Sequence, residues 1–307
     1  MRKWKVVWLT VFILVGTPVS AKHLGFTGAQ FLKLPTSARA VGMGEAFCGV
    51  GDDINTIYYN PSGLSLIKGS QITFMHTRWF QDIKYEYLGY SRPTNWGVFG
   101  IGGMHLYMGS MDRLIETGEN PGDYQKDGIF TSSDTALILS LANRLPGKVY
   151  VGGNLKLIYQ INEDEAIKAY AFDLGMLYQI REKISLGLCL QNIGPEVKFI
   201  EAEDPLPLNL KVGVAYKLLN NRFLLAQDIN LLIEEGRLDG SFGAEYWPKD
   251  MFSLRAGYRT GFSHLESGIN GGLGFKWGGF RLDYSYTPYG QLGDTHRASI
   301  LWSNSCR

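Results

Sequence analysis

The sequence predicts an all-β protein: an antiparallel transmembrane β-barrel of about fourteen strands, with a short N-terminal helical segment as its plug. Three observations carry that prediction. Beyond residue 70 the hydrophobic period is two, so one face of each segment is apolar. The connections between segments alternate between short turns and mostly longer loops. Aromatic residues recur on the apolar face near one end of every second segment.

Composition agrees. The 307 residues allow one large domain, and 30 Lys+Arg against 29 Asp+Glu leave no concentrated basic face for nucleic acid. A mean hydropathy of -0.08 is too polar for a helical membrane protein. Gly (38) and aromatic residues (13%) are abundant, as twisted sheets require.

Residues 1–21 have the order of a signal peptide. Arg2, Lys3 and Lys5 precede an apolar run from Val6 to Val15, and Pro18-Val19-Ser20-Ala21 offers small residues for cleavage after Ala21. The run is short of the roughly 20 residues a spanning helix needs, which argues against a membrane anchor. The expected location is the outer membrane, reached through a cleaved signal peptide.

Residues 22–69 do not alternate, and form the expected hatch. In "GDDINTIYYNPSGLS", Asp52 or Asp53 can cap a short helix, and Tyr58 and Tyr59 can pack. Asn60 precedes Pro61, so it leaves the α region and can cap a turn that opens with Pro61 and Ser62. Gly63 admits close backbone approach.

Residues 70–303 carry the barrel. Strands are expected to begin near Gln71, Tyr85, Trp96, Asp134, Val149, Ala169, Ile184, Leu208, Arg222, Arg237, Phe252, Asn270, Phe280 and Thr295. Phe252, Leu254, Ala256 and Tyr258, for example, alternate with Ser253, Arg255, Gly257 and Arg259. Turn chemistry separates the strands: Pro146-Gly147, Asn220-Asn221 and Gly278-Gly279 supply fixed or positive φ. Tyr178, Tyr216, Tyr246, Trp277 and Trp302 form a one-sided aromatic girdle, in contact with outer-membrane lipid. Asp173, Lys211, Asp239, Glu245, Arg255, Arg259, Lys276, Arg281, Asp283 and Arg297 then face the lumen as paired charges. Residues 304–307 are a short tail.

The third strand is rich in glycine, at Gly97, Gly100, Gly102, Gly103 and Gly109, which predicts a bend or bulge. The loop Ser110 to Ser133 follows, the longest in the chain. It mixes Met111, Leu114, Ile115, Tyr124, Ile129 and Phe130 with charges. Wall and loop together are a candidate lateral site for a partner barrel or a departing ligand; the alternative is a lid over the mouth.

Nothing points to catalysis, a metal or a cofactor. "GMGEAFCG" lacks the strand that precedes a dinucleotide loop. Asp294 and His296 lie on one strand face, but Ser263 or Ser299 would have to supply a nucleophile, and an ordinary hydrogen bond accounts for the pair. His23, His76, His105 and His264 are scattered, and residues 162–165 form an acidic loop without cation-ligand spacing. Cys48, Cys189 and Cys306 have no metal spacing; one disulfide among them is left open.

"AVGMGEAFCGVGDDINTIYYNPSGLS" resembles the N-terminal segment of the PorV/PorQ family, itself related to FadL-like outer-membrane transporters. The resemblance implies a hatch whose Asn-Pro-Ala triplet occupies the lumen of a fourteen-stranded barrel. Asn60, Pro61 and Ser62 match that triplet, with Ser in place of Ala. The closing hairpin "YSYTPYGQLGDTHRASILW" resembles the family's last two strands, although residues continue past Trp302. The resemblance implies a non-enzymatic partner in type IX-like secretion, engaging a translocon or cargo protein through outer loops 110–133 and 192–207. The alternative is a FadL-like transporter of hydrophobic small molecules, gated by the hatch. A transporter needs an apolar pocket. Inward faces with charges, glycines and few apolar residues favour the partner.

Overall fold

Segments that alternate apolar and polar residues can close into a barrel whose apolar face meets lipid and whose polar face lines an interior. The computed structural model describes residues 27–79, 82–118, 122–163, 165–199, 202–260, 268–290 and 293–304. The predicted signal peptide, His23, Ser263, His264, Asp164, Cys306 and the last tail residues lie outside them.

The strands are β1 (Gln71–Arg78), β2 (Lys84–Thr94), β3 (Gly97–Tyr107), β4 (Met111–Glu116), β5 (Tyr124–Phe130) and β6 (Ser132–Leu145). They continue with β7 (Val149–Asn162), β8 (Glu165–Arg181), β9 (Ile184–Ile193), β10 (Val197–Phe199), β11 (Ala202–Asp204) and β12 (Asn209–Leu218). The last are β13 (Phe223–Leu232), β14 (Arg237–Lys249), β15 (Phe252–Arg259), β16 (Ile269–Trp277), β17 (Phe280–Pro288) and β18 (Asp294–Ser303).

Fourteen of them close an antiparallel barrel, in which β1 pairs with both β2 and β18. Each barrel strand starts within a few residues of its expected start; β8 starts earliest, at Glu165, because its charged outer end continues past the apolar band. The remaining four form two hairpins in the long loops, β4–β5 and β10–β11. Asn220, Asn221 and Gly278 take the positive φ their turns require.

Outward residues such as Leu174, Leu254, Leu273 and Leu282 are more than half exposed, as a lipid-facing surface demands. Tyr178, Tyr246, Trp277 and Trp302 point out at the short-turn end, and Tyr216 lies at the same level opposite Ile184 and Leu225. Asp294 and His296 also face out, with His296 Nδ1 2.6 Å from the Tyr284 hydroxyl; Ser299 is buried on the opposite face, so these three do not converge.

The glycine-rich strand departs from expectation. β3 pairs with β2 and β6 along its whole length without a register shift, so there is no bulge. Gly100 and Gly102 face inward instead; a side chain on Gly100 would come within 3.0 Å of Ile57 and Leu64. Gly103 has open space around it, and Gly109 lies beyond the strand end.

Candidate functional site

Residues 28 to 67 lie inside the barrel. Met43, Phe47, Ile54, Ile57, Tyr59 and Leu64 are fully buried there. The segment has only short helical pieces, the 3-10 turn Gln30–Lys33, Ala38–Gly42, Thr56–Tyr59 and the 3-10 turn Pro61–Leu66. Its backbone polar groups therefore need partners from the wall.

Asn60 shows how this is done. It is extended at φ -166°, and its Oδ1 accepts from Ser62 N at the start of the Pro61 turn. Its Nδ2 donates to Cys48 O at 2.9 Å and to Met176 O on β8 at 3.2 Å. One side chain thus joins two parts of the segment to the wall. Asp228 on β13 accepts from Phe47 N and Cys48 N, both at 2.8 Å. Asn154 on β7 donates to Ile57 O at 2.8 Å.

Such close approach requires an inner wall without side chains. Gly152 and Gly175 are cross-strand partners beneath Pro61 and Asn60. Gly187 and Gly213 are partners beneath Cys48 and Gly49, and Gly243 and Gly257 beneath Met43 and Gly44. A Cβ on Gly152 would lie 2.6 Å from Pro61 C. The segment's own Gly63 lies against Thr56 and Gly51.

On one side of the lumen, ion pairs form a closed ring. Asp53 meets Arg39 at 2.8 Å, Arg39 meets Glu245 at 2.7 Å, and Glu245 meets Arg255 at 2.7 Å. Arg255 meets Asp283 at 2.8 Å, Asp283 meets Arg281 at 2.8 Å, and Arg281 returns to Asp53 at 2.6 Å. Three guanidiniums alternate with three carboxylates. Arg255 reaches β17 from β15 by passing over Gly274 of β16, where a Cβ would lie 2.6 Å from its guanidinium. Burial alone pushes the Asp53 carboxyl up, but Arg281 and Arg39 outweigh it and hold it at about 2. Asp52 adds a contact to Arg39 at 2.6 Å, with Lys217 3.7 Å away. Four members of the ring, Arg39, Asp53, Glu245 and Arg281, line a cavity of about 630 Å³ together with the short-turn residues Asn221, Gly278 and Gly279.

The expected lumen residues Asp173, Lys211, Asp239, Glu245, Arg255, Asp283 and Arg297 are buried, and Arg259 and Arg281 partly so. Lys276 is exposed at the short-turn mouth. Asp173 meets Lys156 at 2.9 Å, and Lys211 lies 5.3 Å from the Tyr58 ring. Cys48 and Cys189 are free thiols, and burial pushes that of Cys48 well up, with Asp228 adding to it.

The opposite side of the lumen overturns the expectation of few apolar residues. Met75, Tyr85, Tyr87, Met104, Ile138 and Ile158 face inward from β1, β2, β3, β6 and β7, and are buried against the segment. Leu106, Ile167 and Ala169, with Leu34, continue this apolar surface toward the long-loop mouth, where they are only partly buried. At that mouth the two hairpins differ. Val197 of β10 and Leu206 pack into the core, Val197 against Gly28. Lys198 and Glu203 of the same hairpin remain exposed. The β4–β5 hairpin stands exposed, with Leu114, Tyr124 and Ile129 more than half accessible.

Sequence reasoning missed Arg39, whose guanidinium reaches Asp52, Asp53 and Glu245. The available signal was a lone arginine in the small, apolar run "ARAVGMG". It also missed the glycine pairs, which exist only once the strand register is known.

Residues 14–169, just over half of the chain, match the model of UPF0164, an uncharacterised protein family. A comparison with curated proteins gives no match. Among solved structures, the toluene transporter TbuX of Ralstonia pickettii superposes with a TM-score of 0.61 at 11% identity, covering 88% of this chain and 98% of its own. The toluene transporter TodX of Pseudomonas putida gives 0.60 at 14% identity, with the same coverage. At such identities the likeness is one of fold, a closed fourteen-stranded barrel of the outer-membrane type.

Proposed function

We propose that this chain, which belongs to the UPF0164 family, is a non-enzymatic outer-membrane channel for hydrophobic small molecules. Residues 1–21 serve as the cleaved signal peptide, 22–69 as the hatch, 70–303 as the barrel and 304–307 as a tail. The observation that carries the proposal is the apolar lane inside the lumen. It runs from Tyr87 and Met104 to Leu106 and Ile167 at the long-loop mouth, the side from which an external solute arrives. Its inner end is packed against the segment, so passage requires the segment to move. The fold shared with two toluene transporters agrees with it. The hatch, including Tyr58, Tyr59, Asn60, Pro61, Ser62 and Gly63, would move against its glycine-lined wall to let a solute through. Expression in an outer-membrane host lacking its own hydrophobic transporter should raise uptake of a fluorescent hydrophobic solute. Leu106→Arg should reverse that gain roughly tenfold or more, since a charge in the lane breaks a continuous apolar surface. Uptake equal to that of the empty host, with the barrel folded in the membrane, would end the proposal.

A second reading, docking to a secretion translocon or cargo protein, is favoured by one observation, the exposed apolar residues of β4–β5. Deleting residues 116–127 tests it. Loss of a copurifying partner with uptake unchanged would favour docking, whereas unchanged copurification would remove it.

A further inference from the structure

The outer wall carries a concave groove across β12–β15, of about 330 Å³. Its floor is made by Ala244 and Ala256, direct cross-strand partners, and Tyr216, Leu225, Phe242 and Tyr258 form its rim. A hollow of small residues is not in itself a site. The decisive feature is Gln227, which also lines the groove. Its neighbour Asp228 bonds to Phe47 and Cys48 inside the barrel, so alternation turns Gln227 outward. It is only 8% exposed, and its amide has no hydrogen-bond partner among the described residues.

An amide on a lipid-facing wall must find a partner or bear a large desolvation penalty, because hydrocarbon offers neither donor nor acceptor. The depth of Gln227 narrows the choice. It pairs with Val214 and Phe242, one outward row beyond Leu225, and Leu225 pairs with Tyr216 of the girdle. Two residues along a tilted strand place the amide about 5 Å into the hydrocarbon from the aromatic level. At that depth the ester carbonyls of glycerolipids lie within reach, whereas bulk water and headgroups do not. The rim and floor, being apolar and open to the bilayer, suit an acyl chain.

We propose that this groove holds one diacyl glycerophospholipid of the leaflet on the short-turn side. One acyl chain lies over Ala244 and Ala256, and an ester carbonyl accepts a hydrogen bond from the Gln227 amide. The proposal depends on the barrel spanning a membrane but not on transport, so lipid retention and solute uptake can fail separately.

The test reconstitutes the full chain in vesicles of phosphatidylethanolamine and phosphatidylglycerol, extracts it in mild detergent, and counts bound lipids by native mass spectrometry. The wild-type barrel should keep one lipid. Gln227→Leu should lower its occupancy roughly fivefold, the factor that one hydrogen bond is worth. Ala256→Phe should abolish retention by filling the hollow. Both changes put apolar groups on a lipid-facing surface, so both barrels should remain folded and heat-resistant. Equal retention in all three proteins, or none in the wild type, would overturn the proposal. So would cross-linking between copies through Tyr258→Cys, which would place a second barrel there.

Discussion

The same inner segment rests against two unlike walls. Toward β14, β15 and β17 it is held by charge, through Arg39 and Asp53 in the ring. Toward β1, β2, β3 and β6 it is held mainly by apolar contact, through Ile57, Tyr59 and Leu64. Ion pairs are directional and must be broken in full before the segment can turn away. Apolar contacts have no preferred angle, so a segment can slide along them while remaining buried. The difference assigns the charged wall the part of an anchor and the apolar wall that of a surface along which opening can occur.

The comparison can be broken at its strongest point. Glu245 accepts from both Arg39 and Arg255, and Glu245→Gln leaves two buried guanidiniums short of a carboxylate. Losing one partner of a buried pair costs about 3–5 kcal/mol. The segment should become protease-sensitive in the folded barrel and small-solute leakage should rise; an unchanged digestion pattern would show that the ring does not anchor it.

Ile57→Ala probes the other wall. Truncating a fully buried isoleucine costs about 2–4 kcal/mol by lost contact and cavity. If that wall is the sliding surface, urea midpoints should fall but the segment should stay protected from protease at neutral pH. Digestion as fast as in Glu245→Gln would mean that both walls anchor alike.

The smallest effect is a pH dependence confined to the charged wall. The Asp53 carboxyl is held at about 2, below its ordinary value. Its contribution is therefore complete above about pH 4 and is lost as the pH falls through 2, amounting to about 2 kcal/mol. Leakage should rise across that window in the wild type and be flat in Asp53→Asn. Identical profiles would remove Asp53 from the anchor.

Much of this was legible from residues alone. Period-two alternation in β15 and β17 is clean, so Arg255, Arg281 and Asp283 were placed inward before any contact was known. Asn60 followed by Pro61 read as an extended cap because proline restricts the residue before it. The apolar lane was not legible, and β6 shows why. Leu137, Leu139 and Leu141 face lipid while Ala136, Ile138 and Ala142 face the lumen, so both faces are largely apolar there and alternation cannot say which is inside. The glycines of β3 were misplaced for a related reason. A glycine does not reveal whether its strand bends or another backbone presses on it, and here Ile57 and Leu64 do the pressing.

The sequence by itself determined the barrel, its strand number, the turn side and the charged strands. Each of these follows from short-range patterns: which residues alternate, which permit positive φ, and which can end a strand. Tertiary structure alone decided that Arg39, Asp53, Glu245, Arg255, Arg281 and Asp283 close into one ring, that paired glycines lie beneath the inner segment, and that Gln227 is left facing lipid. Those depend on register and on the approach of residues some 200 positions apart, such as Arg39 and Glu245. A one-residue slip in pairing would reverse every inward and outward face without altering a single local pattern.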